Sequence, residues 1–260
     1  MAEFINSREY EDKLDPRLYL ETYFHLESGT LANNFIRFQE ENLHKVFSSG
    51  KVKGKTLVDV GTAPCIQQLL PACKAFDEII TTWHTKRELR ELQKWQNREA
   101  DAFDWSSIVK YVCELEGNGI TVKEKEEKLR GKIKQTLFCD VSQSNPLAPT
   151  NVPKVDCVTA TGCLEAACRN YEAYSLALKN ISNLLNPSGH LLIVGDLGTN
   201  YFEVGAQKVL SLSVSEKFLK DVISKNNYHI VELATFSRPK AVDAETSDRK
   251  GFYFLHAQKV

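Results

Sequence analysis

Four short loops carry the residue types that could bind a small polar ligand. Each follows an apolar run, and they are Gly61-Thr62-Ala63-Pro64, Trp83-His84-Thr85-Lys86, Asp140-Val141-Ser142 and Thr161-Gly162-Cys163. In an open parallel sheet the ligand binds beyond the carboxyl ends of the strands. A glycine such as Gly61 lets the backbone approach a ligand closely. The four loops therefore form one candidate binding edge.

Covalent and metal chemistry are not indicated. The sequence has no Ser/His/Asp or Cys/His arrangement of the kind that supports nucleophilic catalysis. The seven cysteines lie mostly in apolar, strand-like or helical stretches, which favours free, largely buried thiols. Cys163 and Cys168 are the nearest approach to a metal pattern, but no CxxC motif or histidine pair accompanies them. We predict no metal site.

Composition and charge restrict the partner. The chain has 260 residues, 42% of them hydrophobic, which is enough to bury one large core. Its 33 basic and 34 acidic residues give a net charge of −1, so no long-range field attracts nucleic acid or an anionic membrane. The polar N-terminus does not resemble a signal peptide, and no segment approaches the ~20 apolar residues that span a bilayer. We expect a cytoplasmic protein with a small-molecule partner.

Strand-like and helix-like segments alternate along the chain and must position these loops. The first five strands are predicted at Thr56–Val60, Asp77–Thr82, Gln135–Asp140, Val155–Thr161 and His190–Val194. Helices are predicted at 66–73, 84–96, 123–135 and 171–185, and two β-rich pieces follow at 229–236 and 251–260. This pattern predicts an α/β fold with a mostly parallel sheet and one antiparallel strand at its end.

The N-terminal part has a different character. From Asp15 to Phe47 its apolar residues repeat at helical spacing, which predicts an α-helical cover. We therefore expect a single domain with a cover at residues 1–50 and a Rossmann-like core at residues 51–260.

Seven longer segments have a more specific pattern, in this order and spacing. They are DPRLYLETYF, LVDVGTAPCIQQLL, LRELQKW, AFDWSSIVKYVCELEGN, EEKLRGKIKQTLFCDVSQSNPLAP, VDCVTATGCLEAAC and LLNPSGHLL. Together they resemble the family of nicotinamide, phenylethanolamine and indolethylamine N-methyltransferases, from about Tyr10 to Lys259. VCELEGN, NPLAP and PSGHLL are slightly closer to the indolethylamine branch.

The resemblance implies a class I methyltransferase fold with a seven-stranded sheet and S-adenosylmethionine as cofactor. It also implies direct in-line transfer of a methyl group to a small amine by a monomer. The cofactor-binding positions that it implies are Tyr19, Phe24, Gly61, Thr62, Gln67, Trp83, Glu88, Asp140, Val141 and Thr161.

Several of these positions depart from the family pattern. The family's Gly-Ser-Gly-Pro turn is here Gly61-Thr62-Ala63-Pro64, and Phe24 and Gln67 replace tyrosines that could hydrogen-bond the cofactor. Trp83 stands where the family has an aspartate that binds the ribose, and tryptophan cannot accept a hydrogen bond. Losing such an acceptor costs about 1.5–3 kcal/mol, or roughly one to two decades in affinity.

Three of the implied roles have structural alternatives. Glu88 could reach the ribose in place of the missing aspartate, or could be a surface charge paired with a nearby basic residue. Asp140 matches the adenine-side loop but could serve as a helix N-cap. Thr161 could lie under the cofactor or be a strand-end hydroxyl.

The acceptor side is expected after the strand that ends at Val194. We assign the catalytic role of holding the amine to Asp196, one position later than the aspartate of the nicotinamide enzymes; a turn-forming aspartate before Gly198 is the alternative. This offset favours a flexible arylalkylamine over flat nicotinamide. Tyr201 and Ser211 match substrate-facing positions, although either could be packing.

The altered cofactor positions also suggest a second function. A family member with a changed cofactor pocket could be weakly active or non-catalytic and act by binding. The changes at Ala63, Gln67 and Trp83 motivate this alternative.

Overall fold

The computed structural model of this chain describes residues 3–6, 9–239 and 246–260. Ten β-strands occur in these ranges. In chain order they are β1 Glu3–Ile5, β2 Gly54–Val60, β3 Phe76–Trp83, β4 Ile133–Phe138, β5 Val155–Thr161, β6 Leu185–Leu197, β7 Tyr201–Val204, β8 Gln207–Leu210, β9 Tyr228–Ser237 and β10 Gly251–Lys259.

Seven of these strands form the main sheet, in the order β4-β3-β2-β5-β6-β10-β9. Strands β2 to β6 are parallel to one another, and β10 pairs antiparallel with both β6 and β9. The predicted α/β fold with a mostly parallel sheet is confirmed. The strand that runs opposite to the others lies second from the edge, however, and not at the end of the sheet as predicted.

Nine helices surround the sheet in the described ranges. They are α1 Tyr10–Lys13, α2 Pro16–Tyr23, α3 Leu31–Ser48, α4 Lys86–Gln96, α5 Ser106–Glu116, α6 Val122–Lys132, α7 Leu164–Ala167, α8 Tyr171–Ser182 and α9 Glu216–Lys225. Successive residues of a strand face opposite sides, so Leu57 packs among the core residues of α3 to α6 and Val58 among those of α8 and α9. Both faces of the sheet are therefore covered, as parallel sheets require.

The cover differs from its prediction in two ways. The predicted stretch from Asp15 to Phe47 is two helices, α2 and α3. A small sheet, β1-β8-β7, adds to the cover and was not predicted, because its strands are only three or four residues long. The hydroxyl of Tyr23 joins the two parts by donating to the carbonyl of Glu203 at 2.7 Å.

The helix predicted at 66–73 is also different. Two short 3₁₀ turns, Gln67–Leu69 and Pro71–Lys74, occupy this stretch. Pro71 has no N–H to donate and its ring clashes with the preceding turn, so an α-helix cannot continue through it. None of the helices in the described ranges is long and apolar enough to cross a membrane.

Two histidines on β6 and β10 face each other. His190 Nδ1 and His256 Nε2 are 3.0 Å apart, a contact that needs one ring nitrogen without a proton. Burial, and then the neighbouring His190, lower the pKa of His256 to about 4. The folded protein therefore holds His256 neutral where an unfolded chain would protonate it.

The free energy of unfolding is expected to decrease as the pH falls from about 6.5, the ordinary histidine pKa, towards 4. In this range the unfolded chain takes up a proton that folded His256 does not. Urea unfolding at pH 7 and pH 5 measures the change. His256→Gln, which keeps a hydrogen bond but does not titrate, should lose about 1–2 kcal/mol less than the wild type. An equal loss in both proteins would contradict the assignment.

Candidate active site

A cleft of about 660 Å³ opens at the carboxyl ends of the parallel strands. All four predicted loops reach it, through Gly61, Trp83, Asp140 and Thr161 among others. Its volume lies within the usual range for small-molecule sites. The strand order thus brings together loops that are up to 100 residues apart in sequence.

The first turn requires glycine at position 61. Gly61 has φ +74°, and a Cβ atom there would lie 2.8 Å from the Sγ atom of Cys163. The Gly61 N–H donates to Thr82 Oγ1 at 2.8 Å, which fixes the turn against β3. The backbone can therefore approach a ligand where a side chain could not fit.

Thr62 does not line the cleft. Its hydroxyl donates to the Asp59 carbonyl at 2.8 Å and accepts from the Thr82 N–H at 3.1 Å. The side chain is fully buried below the turn. Direct contact with a ligand, as the family pattern implies, is not supported for this side chain, whose role is to hold the turn.

Asp59 bonds to several residues at this end of the sheet, and the sequence analysis did not single it out. Its carboxylate accepts hydrogen bonds from Thr159 on β5 and from Gln68. Burial raises the pKa of Asp59 to about 6, while the hydrogen bonds from Thr159 and Gln68 act in the opposite direction. The only sequence signal was a carboxylate inside the apolar run that predicts β2.

The second loop places Trp83 and Glu88 on the cleft wall. Trp83 lines the cleft, and its ring packs against Phe138 with a centroid distance of 5.1 Å. Glu88 forms a capping box with Thr85 at the start of α4. Its Oε2 atom accepts from the Thr85 N–H at 2.9 Å, and burial raises the pKa of its carboxyl.

The third and fourth loops supply Asp140, Val141 and Thr161. The Asp140 carboxylate accepts from the N–H and hydroxyl of Ser142 and from the amide of Gln143. It caps its own turn, not a helix. Burial acts to raise the pKa of Asp140, but these hydrogen bonds outweigh it and lower the pKa. The carbonyl of Val141 accepts from Asn180 at 2.9 Å.

The cover closes the cleft with Tyr10, Tyr19 and Phe24, and Gln67 also lines it. Two polar atoms among them are buried without a hydrogen-bond partner in the described ranges, the hydroxyl of Tyr10 and Oε1 of Gln67. Buried polar atoms without partners are costly, and a ligand that bonds to them relieves this cost. They are a donor and an acceptor available to a polar ligand.

The predicted acceptor residues do not line the cleft. Asp196 forms an ion pair with Arg249 at 2.8 Å. Tyr201 packs at 6.1 Å from the exposed Phe4 ring, and the next residue of β7, Phe202, is the one that faces the cleft. Ser211 donates its N–H to the Asn200 carbonyl at 2.8 Å.

Glu165, on α7, is a buried carboxyl near the acceptor end that the sequence analysis missed. Its Oε1 atom accepts from the Tyr253 hydroxyl and lies 2.6 Å from where a Cβ atom on Gly195 would be. Its Oε2 atom has no partner in the described ranges. Burial raises the pKa of Glu165 to about 7, and the hydrogen bond from Tyr253 acts against this.

The model of the NNMT/PNMT/TEMT family matches residues 2–260. The chain is 39% identical to the nicotinamide N-methyltransferase of Homo sapiens over 99% of this chain and 97% of that protein. It is 37% identical to the indolethylamine N-methyltransferase of Oryctolagus cuniculus, over 98% and 97%. It is 33% identical to the phenylethanolamine N-methyltransferase of Homo sapiens, over 95% and 89%. These findings confirm the resemblance seen in the sequence.

Solved structures confirm the fold. A magnesium protoporphyrin IX methyltransferase from Synechocystis PCC 6803 with bound S-adenosylhomocysteine has a TM-score of 0.58 at 12% identity, covering 97% of each chain. A 1,6-didemethyltoxoflavin-N1-methyltransferase from Burkholderia thailandensis has a TM-score of 0.54 at 14% identity, covering 100% of this chain and 93% of that one. The fold is that of S-adenosylmethionine-dependent methyltransferases.

The close approach at Gly61 can be tested by comparison with Gly50. Both have similar positive φ values, +74° and +71°, but nothing lies within 4 Å of a Cβ atom at Gly50. Gly50→Ala should cost about 1–2 kcal/mol through backbone strain alone. Gly61→Ala should cost a further 1–3 kcal/mol or so, because the methyl group overlaps Cys163. Urea unfolding measures both, and equal losses would argue against a closely packed turn.

Proposed function

This chain belongs to the NNMT/PNMT/TEMT family, and from that membership we propose that it is an S-adenosylmethionine-dependent N-methyltransferase acting on a small indolethylamine- or nicotinamide-like amine. The observation that carries the proposal is the meeting of all four strand-end loops at one cleft large enough for a small molecule. The family assignment indicates methyl transfer, and the cleft is where the cofactor and acceptor would bind.

The residues of the cleft fit the cofactor. An amino-acid and nucleoside ligand needs close backbone approach, donors, acceptors and apolar surface. Gly61 provides the first, the Tyr10 hydroxyl and Gln67 Oε1 provide an unpaired donor and acceptor, and Val141 and Phe24 provide apolar walls.

We assign the cofactor to the cleft-lining residues of the family pattern. These are Tyr19, Phe24, Gly61, Gln67, Trp83, Glu88, Asp140, Val141 and Thr161. Glu88 is our candidate for the ribose hydroxyls, since its carboxylate lines the cleft five residues after Trp83. When bound, S-adenosylmethionine supplies a methyl group whose bond to sulfur breaks as the acceptor nitrogen forms its new bond.

The chain's own contribution is alignment and exclusion of water. Tyr19, Phe35 and Phe202 line the cleft on the side of the cover. We propose that these rings exclude water beside the acceptor, which favours an uncharged, correctly placed nitrogen. Asp196 lies near this wall, and we propose that it acts as a positioning residue through Arg249, its ion-pair partner.

The protein is also proposed to work as a cytoplasmic monomer with a single domain, residues 1–50 covering residues 51–260. The support is that one chain supplies the loops, floor and cover of the cleft. Light scattering at the mass of one chain, 29.4 kDa, would test the oligomeric state.

Restoring the missing carboxylate tests the cofactor site. Trp83→Asp is expected to tighten binding of S-adenosylhomocysteine by roughly ten- to a hundredfold, because an aspartate can accept two ribose hydroxyl hydrogen bonds. Trp83→Phe, which keeps an aromatic ring and accepts no hydrogen bond, is the matched control. Calorimetric titration measures both, and unchanged affinity in Trp83→Asp would show that the ribose lies elsewhere.

Transfer itself is tested with labelled S-adenosylmethionine and three acceptors: tryptamine, nicotinamide and a thioether. We expect label on one of the nitrogen acceptors and none on the thioether. Asp196→Asn should lower the rate, because a neutral amide holds Arg249 less strongly than a carboxylate does. Equal rates in the two proteins would remove Asp196 from the mechanism. Absence of transfer to every acceptor, with the cofactor bound, would favour the non-catalytic alternative.

A further inference from the structure

Arg249 is an arginine with an unusual environment. Its residue surface is 8% exposed, and one of its terminal nitrogens lies 2.8 Å from Asp196 Oδ2. Its Nε atom is buried with no hydrogen-bond partner in the described ranges. A buried guanidinium usually bonds through several of its five N–H groups. The surroundings of Arg249 therefore satisfy the charge of the group and leave part of its hydrogen-bonding capacity unused.

The other neighbours of the guanidinium are aromatic. Its central carbon lies 5.2 Å from the ring centroid of Phe252, 5.9 Å from that of Phe35 and 6.0 Å from that of Tyr23. These distances are within the range in which a cation is attracted to an aromatic ring. Three rings and one carboxylate thus surround a single positive charge.

This arrangement is not special to arginine. Aromatic cages closed by a carboxylate are a common way to bind an organic ammonium group, and they require neither the planar shape nor the five donors of a guanidinium. We call the rings of Tyr23, Phe35 and Phe252 and the Asp196 carboxylate the cage. The unused Nε of Arg249 is consistent with a cage that suits any organic cation of this size.

The cage adjoins the proposed acceptor end of the cleft. Phe35 belongs to both, since its ring lies beside Arg249 and also lines the cleft. Tyr23, of the cage, packs at 5.4 Å from the cleft-lining ring of Tyr19. The cage and the cleft therefore share an aromatic wall.

We propose that Arg249 fills, from within the chain, an ammonium-binding cage at the acceptor end of the cleft, and thereby makes this protein select a neutral aromatic nitrogen over a protonated amine. The inference rests on the proposed function and specifies its acceptor class. A protonated arylalkylamine cannot pair with the Asp196 carboxylate, because Arg249 already does, and the charge of Arg249 repels it. A neutral, flat acceptor binds against the rings of Tyr19, Phe35 and Phe202 without needing the carboxylate.

The test is to empty the cage. In Arg249→Met the side chain keeps an apolar stem and loses its charge, which leaves Asp196 free to bind a cation. Calorimetry at pH 7 should show tryptamine, then protonated, binding about ten- to a hundredfold more tightly to Arg249→Met than to the wild type. Nicotinamide should bind both proteins within about twofold.

Two controls isolate the cage. Lys208→Met removes a cation that lies 4.2 Å from the ring of Tyr201, outside the cleft, and should leave tryptamine binding at the wild-type value. Asp196→Asn combined with Arg249→Met provides the same space without the carboxylate, and the gain for tryptamine should disappear. If the double variant binds tryptamine as tightly as Arg249→Met, or if Arg249→Met gains nothing, the proposal is overturned.

Arg249→Met is expected to be less stable than the wild type, because the buried Asp196 carboxylate loses its partner. The same unpaired carboxylate gives a second test. Tryptamine or methylguanidinium should raise the melting temperature, or the refolding yield, of Arg249→Met and not of the double variant. Absence of this rescue overturns the proposal. All these readouts measure binding, so failure of methyl transfer would count against the proposed function and leave the cage to be judged separately.

Discussion

The cleft depends on the hydrogen bonds of one buried residue at the centre of the sheet, Asp59. The Asp59 carboxylate on β2 accepts from the hydroxyl of Thr159 on β5. The backbone carbonyl of Asp59 accepts from the hydroxyls of Thr62 in the first turn and Thr82 on β3. Three neighbouring strands and the Gly61 turn are thereby tied together at the edge where the ligand binds. Buried polar groups are costly when their hydrogen bonds are lost, so moving the turn away would leave the Asp59 carbonyl without the Thr62 hydroxyl. The floor of the cleft is thus held by hydrogen bonds within the chain.

The cover is held by different forces. Tyr19 and Phe24 of the N-terminal region pack with ring centroids 5.5 Å apart, and Phe24 continues to Trp105 at 5.5 Å. Aromatic packing is strong but adjustable, and it lacks the directional network found around Asp59. The active site thus joins a fixed polar floor to a largely apolar cover. Under the proposed function, the floor positions the cofactor and the cover determines the size and polarity of the acceptor.

The sequence predicted the parts of the molecule that follow from periodicity and strand-end chemistry. The parallel strands and their four loops needed only apolar runs and the rule that ligands bind beyond strand ends. The orientation of individual side chains was less accessible. Thr62 faces down because Asp59 and Thr82 need its hydroxyl, and Tyr201 faces outward because Phe202 takes the inner side of β7. Likewise, Arg249 is close to Asp196 because β10 pairs with β6, and no local sequence pattern predicts that pairing.

Two departures from the family pattern are explained by where carboxylates lie in the folded structure. Where Trp83 replaces an aspartate at the end of β3, Glu88 brings a carboxylate to the same cleft from the first turn of α4. Where the nicotinamide enzymes have an aspartate, this chain has Gly195, and the Glu165 carboxylate lies 2.6 Å from the missing Cβ atom. In both cases a short acid on a strand end is replaced by a longer acid on the helix that follows a strand. The longer side chain begins at a more distant backbone position, so a hydrogen bond is needed to hold its carboxylate in place. Thr85 donates that bond to Glu88, and Tyr253 donates it to Glu165. The loss of an acid at a strand end is therefore not, by itself, the loss of a carboxyl group from that part of the structure.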